Sequence, residues 1–373
     1  MTDQIQELPA EQPLGQLEAV AYFHGPMPTG VTVSHEGRIF VNFPKWGDDV
    51  EFTVAEVVNG EAVAYPNEDI NRSDADNLAG TLISVQSVVV DPANRLWILD
   101  TGSPLFQPTE YGGPKLVCVD LATDTVVKTI LFPKDVALPT SYLNDVRFDL
   151  RRGQEGIAYI TDSSDKGPNG IVVADLATGE SWRRLHDHPS TKADELSEFV
   201  PVVEGRPVLE RQPDSSVRPA IAMGSDGIAI SSDGGRLYYC PLASRLLYSV
   251  ATDALVDRSL DEVAVTATVT MEGDKGGAGD GLESDAAGYV YATNYEHNAV
   301  LRWASGSDGA WETVAHDPRL LWPDTLSLAG DGYLYVTANQ LHRQPDYQNG
   351  KDQRAKPYTL FRIRVDAQPV LLR

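Results

Sequence analysis

Soft and imidazole ligands are scarce in this chain: two cysteines, four methionines and seven histidines among 373 residues. That scarcity excludes a disulfide scaffold and a cysteine-rich zinc module. Cys118 and Cys240 each lie inside an apolar, strand-like run and read as buried thiols. Positive charge is short as well. Thirty Lys and Arg face 54 Asp and Glu, a net charge of −24, which excludes nucleic acid and anionic membranes as partners. No apolar run approaches the roughly 18 residues of a membrane span. The opening MTDQIQELPAEQ is polar and acidic, unlike a signal peptide, so a cytoplasmic protein is expected. Also missing are the G-x-S-x-G elbow, H-E-x-x-H, a Walker loop and a dinucleotide fingerprint. The glycine-rich GDKGGAGDG (273–281) leads into a strand, not a helix, so it is a poor phosphate cradle.

What is present is repetition. Six segments share one pattern of a polar residue, alternating apolar residues, a tight turn and a second strand. They begin at Thr29 (TGVTVSHEGRIFVN), Gln86 (QSVVVDPANRLWILD), Asn144 (NDVRFDLRRGQEGIAYITD), Asp226 (DGIAISSDGGRLYYC), Asp280 (DGLESDAAGYVYATN) and Asp324 (DTLSLAGDGYLYVTAN). A strand–turn–strand unit cannot bury both its faces alone and must stack on its neighbours. Six such units use the whole length as one all-β, six-bladed β-propeller with four-stranded blades. The expected layout is an N-terminal tail over 1–16 and a single propeller over 17–373. LEAVAYFHG (17–25) should complete the sixth blade beside YTLFRIRV (358–365) and so close the ring without an exposed sheet edge.

The turns sort by face. HEGR (35–38), DPANR (91–95), SSDGGR (231–236), DAAG (285–288) and AGDG (329–332) are short and rich in residues that accept φ > 0. The connections on the opposite, top face are long: 42–52, 100–114, 185–223 and 339–357. Loops beyond about 12 residues in a compact domain usually carry function. The longest, 185–223, is expected to be an insertion or lid across the top mouth.

The first polar residue of each segment then falls on one circle at the top of the channel: Thr29, Gln86, Asn144, Asp226, Asp280 and Asp324. Carboxylates so grouped must share protons or recruit a cation. All the donors are hard oxygens, which suits Ca²⁺, or alternatively Mg²⁺, on Asn144, Asp226, Asp280 and Asp324. Asp145 could add an oxygen or orient these ligands. A water-filled polar channel is the alternative. An outer circle from the ends of the second strands holds Asn42, Asp100, Asp162, Asn294 and Asn339. Gln86, Asp145, Asp100, Tyr142, Asn294, Tyr295 and Asn339 are the candidate substrate contacts. Aromatic residues above them, among them Trp46, Phe106, Trp322 and Tyr347, are candidate walls. Asp226, His297 and His342 are the candidate acid–base residues.

SDGIAISSDGGRLYYCPLASRLLYSV, GDGLESDAAGYVYATNYEHNAVLRW and WPDTLSLAGDGYLYVTANQLHRQ resemble the Yellow/major royal jelly protein family in its bacterial, dopachrome-tautomerase-related branch. The resemblance runs over about residues 17–365 and implies a six-bladed propeller. The ring pattern is more distantly similar to gluconolactonase/paraoxonase propellers, which hold calcium in the channel through Glu, Asn and Asp. Asn144 and Asp226 match ligand positions of that group, whereas Thr29 stands where its first-blade Glu belongs. Three functions follow as expectations: a metal-assisted lactone or ester hydrolase, placed first; a dopachrome-type tautomerase; and a non-catalytic binder of small aromatic or cationic ligands. The expected partner is a small molecule, with the oligomeric state open.

Overall fold

The structure is a computed structural model describing residues 12–194, 199–211, 216–219, 221–307 and 309–373. Its main body is six four-stranded antiparallel sheets arranged as the blades of a propeller. The innermost strands are Val31–Val33, Val85–Val90, Leu143–Asp149, Ser225–Ile230, Leu282–Ser284 and Pro323–Leu328, one for each blade from 1 to 6. Each begins within two residues of the polar residue that the repeat predicted. Hairpin turns connect each to a second strand, so the observed register follows the period-2 alternation of the sequence. No helix among the described residues is long and apolar enough to cross a membrane.

Closure occurs as expected. Leu17–Phe23 lies antiparallel to Tyr358–Arg364 and forms the outermost strand of blade 6. Phe23 is buried and packs edge-on against Phe43 of blade 1, with ring centroids 5.5 Å apart. The segment before this strand is not a free tail where it is described. Leu14 exchanges backbone hydrogen bonds with His316 on the outer strand of blade 5. The N-terminal segment therefore staples blade 5 to blade 6. Residues 1–11 of the expected tail lie outside the described residues.

The described parts of 185–223 form two small hairpins, Val202–Val203 with Arg206–Pro207 and Leu209–Arg211 with Val217–Pro219. Phe199, Val203, Val208 and Ile221 pack into one apolar cluster with Leu242, Tyr295, Trp322 and Leu341. The insertion is thus wedged onto the tops of blades 4 to 6. On the opposite face the C-terminal segment crosses the channel mouth. Ala286 N–H donates to Gln368 O at 2.9 Å and Leu150 N–H to Leu372 O at 2.9 Å. Above this strap is a lower cavity of about 250 Å³ lined by residues that include Arg147, Glu283 and Val370.

Phe23→Ala removes a buried ring from the closing strand. It is expected to lower unfolding free energy by about 3–5 kcal/mol, measured by urea denaturation, whereas Tyr22→Ala on the exposed side of the same strand should cost far less.

Candidate functional site

A common backbone device aims the channel residues. In blades 2, 3, 4 and 6 the innermost strand carries a register shift at its first residues, between Val85 and Ser87, Leu143 and Val146, Ser225 and Ile228, and Pro323 and Leu326. Gln86, Asn144, Asp226 and Asp324 sit on these bulges, which turn side chains away from the ladder. Asp280 occupies the equivalent place just ahead of the blade 5 strand. The freed backbone N–H groups need partners. In blades 3, 5 and 6 a threonine one residue before the end of the second strand supplies one. Thr161 Oγ1 accepts from Asp145 N–H at 3.2 Å, Thr293 Oγ1 from Asp280 N–H at 2.9 Å, and Thr337 Oγ1 from Thr325 N–H at 3.2 Å.

The glycine that follows Asp226 and the one that follows Asp280 have a steric reason. A Cβ on Gly227 would stand 2.3 Å from Asp280 O, and one on Gly281 would stand 2.3 Å from Asp324 O. Adjacent innermost strands approach so closely that no side chain fits between them. The Asp–Gly pairs therefore mark strand contact around the axis rather than hairpin turns.

The result is an upper cavity of about 170 Å³. Gln86, Asn144, Asp226, Asp280 and Asp324 line its lower part, and Trp46, Phe106, Tyr142 and Tyr347 contribute aromatic walls. Asp226 and Asp280 are hydrogen-bonded to each other, so one carboxyl must hold a proton. Burial, then the charges of Asp280 and Asp324, push Asp226 well above the usual carboxylate range. Burial also lifts Asp280, to about 6, against the hydrogen bonds from Trp322 and Asp226 that favour its charged form. Trp322 Nε1–H donates to Asp280 Oδ2 at 2.8 Å, which places the charge of the pair on Asp280 and the proton on Asp226. Asp324 is raised by burial and by Asp280, and it is held by Asn339 Nδ2–H at 2.6 Å and by the Thr325 hydroxyl at 3.1 Å.

All four residues expected to ligate a cation line this cavity. Their chemistry fits a hard ion, since an uncompensated pair of carboxyls now shares a proton that a cation could replace. Their arrangement is sparser than expected. Among the described residues no group of three or more His, Cys, Asp or Glu converges on a point that could hold a metal. Asp324 is drawn onto Asn339, and Asn144 gives its amide N–H to Ser163 Oγ at 3.0 Å. Thr29, where a first-blade carboxylate was missing, is buried and accepts from Asn42 Nδ2–H at 2.8 Å.

The other candidates separate into contacts and supports. Tyr142 is a wall: its hydroxyl donates to Gln86 Oε1 at 3.0 Å and accepts from Trp46 Nε1–H at 2.7 Å. Tyr295 stands behind the wall, stacked at 4.0 Å on Trp322 with its hydroxyl on Leu242 O. Asn339 acts through Asp324. Asp145 lies beneath the acid pair, bonded to Ser87 and to Arg147 at 3.0 Å. Asp100 is fully buried away from the cavity, with Lys115 Nζ at 2.8 Å and the Ile83, Ser84 and Gly102 N–H groups on its oxygens. Asn294 caps its own loop through Gly276 O and His297 N–H.

Neither histidine is among the residues lining the upper cavity. His297 borders an open cleft on the outside of blade 5. His342 is buried, stacked on Trp322 at 5.9 Å, and its Nε2 meets Glu204 of the insertion at 2.7 Å. Burial lowers its pKa, while Arg343 above all holds Glu204 at about 2.

Two channel residues escaped the sequence reading. Arg147 and Glu283 sit at the ceiling of the lower cavity, with Arg147 Nη1 on Asp145 and Nη2 donating to Leu282 O at 2.7 Å. Burial raises Glu283 despite the nearby guanidinium. The signal was available: Arg147 stands two residues after Asp145 and shares its face of the strand.

These features define a class: a six-bladed propeller with an acid pair and aromatic walls in the top half of its channel. Within that class the chain belongs to the major royal jelly protein family, whose model matches residues 83–370. Protein yellow of Drosophila subobscura is 27% identical over 249 residues, covering 62% of this chain and 40% of that protein. Protein yellow of Drosophila melanogaster gives 27% identity, with 62% and 42% covered. The chain therefore spans about 40% of the length of these curated relatives. Among solved structures it is similar to a luciferin-regenerating enzyme (TM-score 0.58, 12% identity, 96% of this chain and 99% of that one). It is also similar to regucalcin, a calcium-binding protein from Agrobacterium tumefaciens (TM-score 0.55, 15% identity, 95% and 98%). A gluconolactonase-like structure gives a TM-score of 0.57 at 10% identity, with 95% and 94% covered. At these identities the structural likeness shows the fold.

Asp100→Asn leaves the buried Lys115 ammonium without its carboxylate. The expected outcome is a stability loss of about 3–5 kcal/mol in urea denaturation, with ligand binding of the folded fraction unchanged.

Proposed function

We propose that this protein is a small-molecule enzyme of the upper cavity, and that the Asp226–Asp280 pair carries out proton transfer on a small ring-bearing substrate, as in a tautomerisation. The observation that carries this reading is the hydrogen-bonded acid pair beneath the walls of Trp46, Phe106 and Tyr142. Asp226, holding the proton, donates it to a substrate carbonyl oxygen or imine nitrogen. Asp280, charged and oriented by Trp322, accepts a proton from a neighbouring carbon or nitrogen. The pair is left with acid and base exchanged, and a proton passing along their own hydrogen bond restores the starting state. The aromatic walls favour a flat substrate, and the acidic floor favours one with a hydrogen-bond donor or positive charge. The dopachrome-like chemistry implied by the family resemblance is of this kind.

A second reading, the lactone or ester hydrolase placed first from the sequence, is favoured by the four carboxyls of Asp226, Asp280, Asp324 and Asp346 lining the cavity with no Lys or Arg among the lining residues. Here Asp226 and Asp280, with Asn144, would hold a calcium ion, which when bound would polarise the substrate carbonyl. The likeness in fold to the calcium-binding regucalcin and to the gluconolactonase-like structure motivates this reading.

Turnover of a dopachrome-type quinone and of a lactone panel, each with calcium and with EDTA, separates the two. Isomerisation that persists in EDTA supports proton transfer; lactone hydrolysis that needs calcium would replace it. Under the first reading Asp226→Asn and Asp280→Asn each lower kcat roughly 10²–10⁴-fold.

The raised carboxyls also set a stability trend. Asp280 keeps its proton in the folded chain up to about 6, whereas its ordinary value is 3.8. Between these values the folded state binds more protons than the unfolded one, so stability falls as pH rises through the window and the deficit persists above it. Asp280→Asn is therefore expected to raise the unfolding free energy at pH 8 by an amount on the order of 1–3 kcal/mol, seen as a higher Tm, while abolishing turnover; calorimetry of wild type and variant at pH 4.5 and 8 measures it.

A further inference from the structure

We propose that Phe106 is the gate of the upper cavity, held shut by stacking against a strained backbone, and that it determines which molecules enter. This rests on the cavity being a small-molecule site, as argued above. Phe106 lines the cavity and lies over both aromatic walls. Its ring is stacked on Trp46 at 5.5 Å and 22° and on Tyr142 at 4.8 Å and 30°. Those two rings are fixed, since Trp46 Nε1–H donates to the Tyr142 hydroxyl and that hydroxyl donates to Gln86 on the innermost strand of blade 2. Phe106 itself has no such anchor.

Its backbone works against the closed position. Leu105 and Phe106 have φ of 53° and 54°, two consecutive side-chain-bearing residues in the left-handed region. Such residues occur there singly and at a cost, and runs of them are avoided. Burial does not hold the segment down, because Leu105 is 57% exposed. What holds it is a hydrogen bond from Leu105 N–H to Lys45 O at 2.9 Å, one from Ser103 Oγ to Gln107 O at 2.6 Å, and the ring stack. The neighbouring Gly102 is packed directly against the Gly113 backbone, which stands where its Cβ would be. The moving unit is therefore 104–107, pivoting at Ser103, which is buried and donates its N–H to Thr101 Oγ1 at 3.0 Å. The stacking gained by the two ring contacts and the strain of the two left-handed residues are of similar size. A device so balanced has two accessible positions: ring in, with φ positive, and ring out, with the backbone relaxed.

The test uses the protein labelled with 5-fluorotryptophan, which has six tryptophans. The Trp46 resonance is the one lost in Trp46→Phe. In wild type this line is expected to be broadened by exchange, and the nitroxide TEMPOL, a single-ring probe, should relax it. Leu105→Gly removes the strain from the closed form. It should lower the open population about five-fold, narrowing the line and reducing relaxation by TEMPOL. Phe106→Ala should abolish the exchange and raise TEMPOL relaxation several-fold. Asn59→Gly, at an exposed positive-φ residue in the outer hairpin turn of blade 1 and away from the cavity, should change neither. The other five resonances confirm folding of each variant. A wild-type Trp46 line as narrow as that of Leu105→Gly, or TEMPOL relaxation unaffected by Phe106→Ala, overturns the gate. No substrate is used, so a working gate over a cavity that converts nothing would leave this inference standing and remove the catalytic one.

Discussion

Crowding at the axis governs this molecule. Six innermost strands must meet around one channel, and at blades 4, 5 and 6 they come so close that the carbonyl of one strand occupies the space of the next strand's side chain. Gly227 and Gly281 make that approach sterically allowed. Each of these glycines follows an aspartate, so the same contact that tightens the ring brings Asp226, Asp280 and Asp324 toward one another. Their proximity and burial, rather than any special property of the residues, produce the shared proton and the raised acidities.

The channel divides its charges by height. Above, the acid pair and Asp324 share the cavity with Asp346, with no Lys or Arg among the lining residues, under a roof of aromatic rings. Below, Asp145 is paired with Arg147, and Glu283 stands beside the same guanidinium. The arginine is spent on the lower carboxylate and on the carbonyls of Val146 and Leu282, so it offers no hydrogen bond to the upper three. Imbalance above and compensation below is the pattern expected where a fold keeps strain at a working site and relieves it elsewhere. The insertion contributes from behind: Glu204 holds His342, His342 stacks on Trp322, and Trp322 donates to Asp280.

The fold was legible because strand alternation and turn composition repeat six times, and a repeat can be recognised without knowing any contact. The circle of polar residues was legible for the same reason, and five of its six members line the cavity. Thr29 does not, because its hydroxyl is taken up by Asn42 and the Gln86 carbonyl. Residues at loop starts were harder to read. Asp100 and Asn294 look like substrate contacts in sequence but serve as loop and ion-pair supports, a distinction made by Lys115 and by backbone groups remote along the chain. His297 and His342 lie on top-face connections, yet the insertion and the outer wall of blade 5 claim them. The penultimate threonines 161, 293 and 337 were visible in YITD, YATN and YVTA, but their role depends on bulges that alternation alone does not reveal.

The clasp between Leu17–Phe23 and Tyr358–Arg364 also has a consequence in time. On a ribosome the strand that fastens the ring emerges early, and its partner more than three hundred residues later. Throughout that interval one strand waits with its backbone unpaired, and blade 1 lacks Tyr335, Tyr358 and Leu360 of blade 6, which complete the apolar cluster around Phe43. The nascent chain therefore carries an adhesive strand until its distant partner is made, and pairing so distant in sequence is slow to find. Polar flanks and a strong acidic charge, which look superfluous on the finished ring, are well suited to keeping copies apart on the way to it.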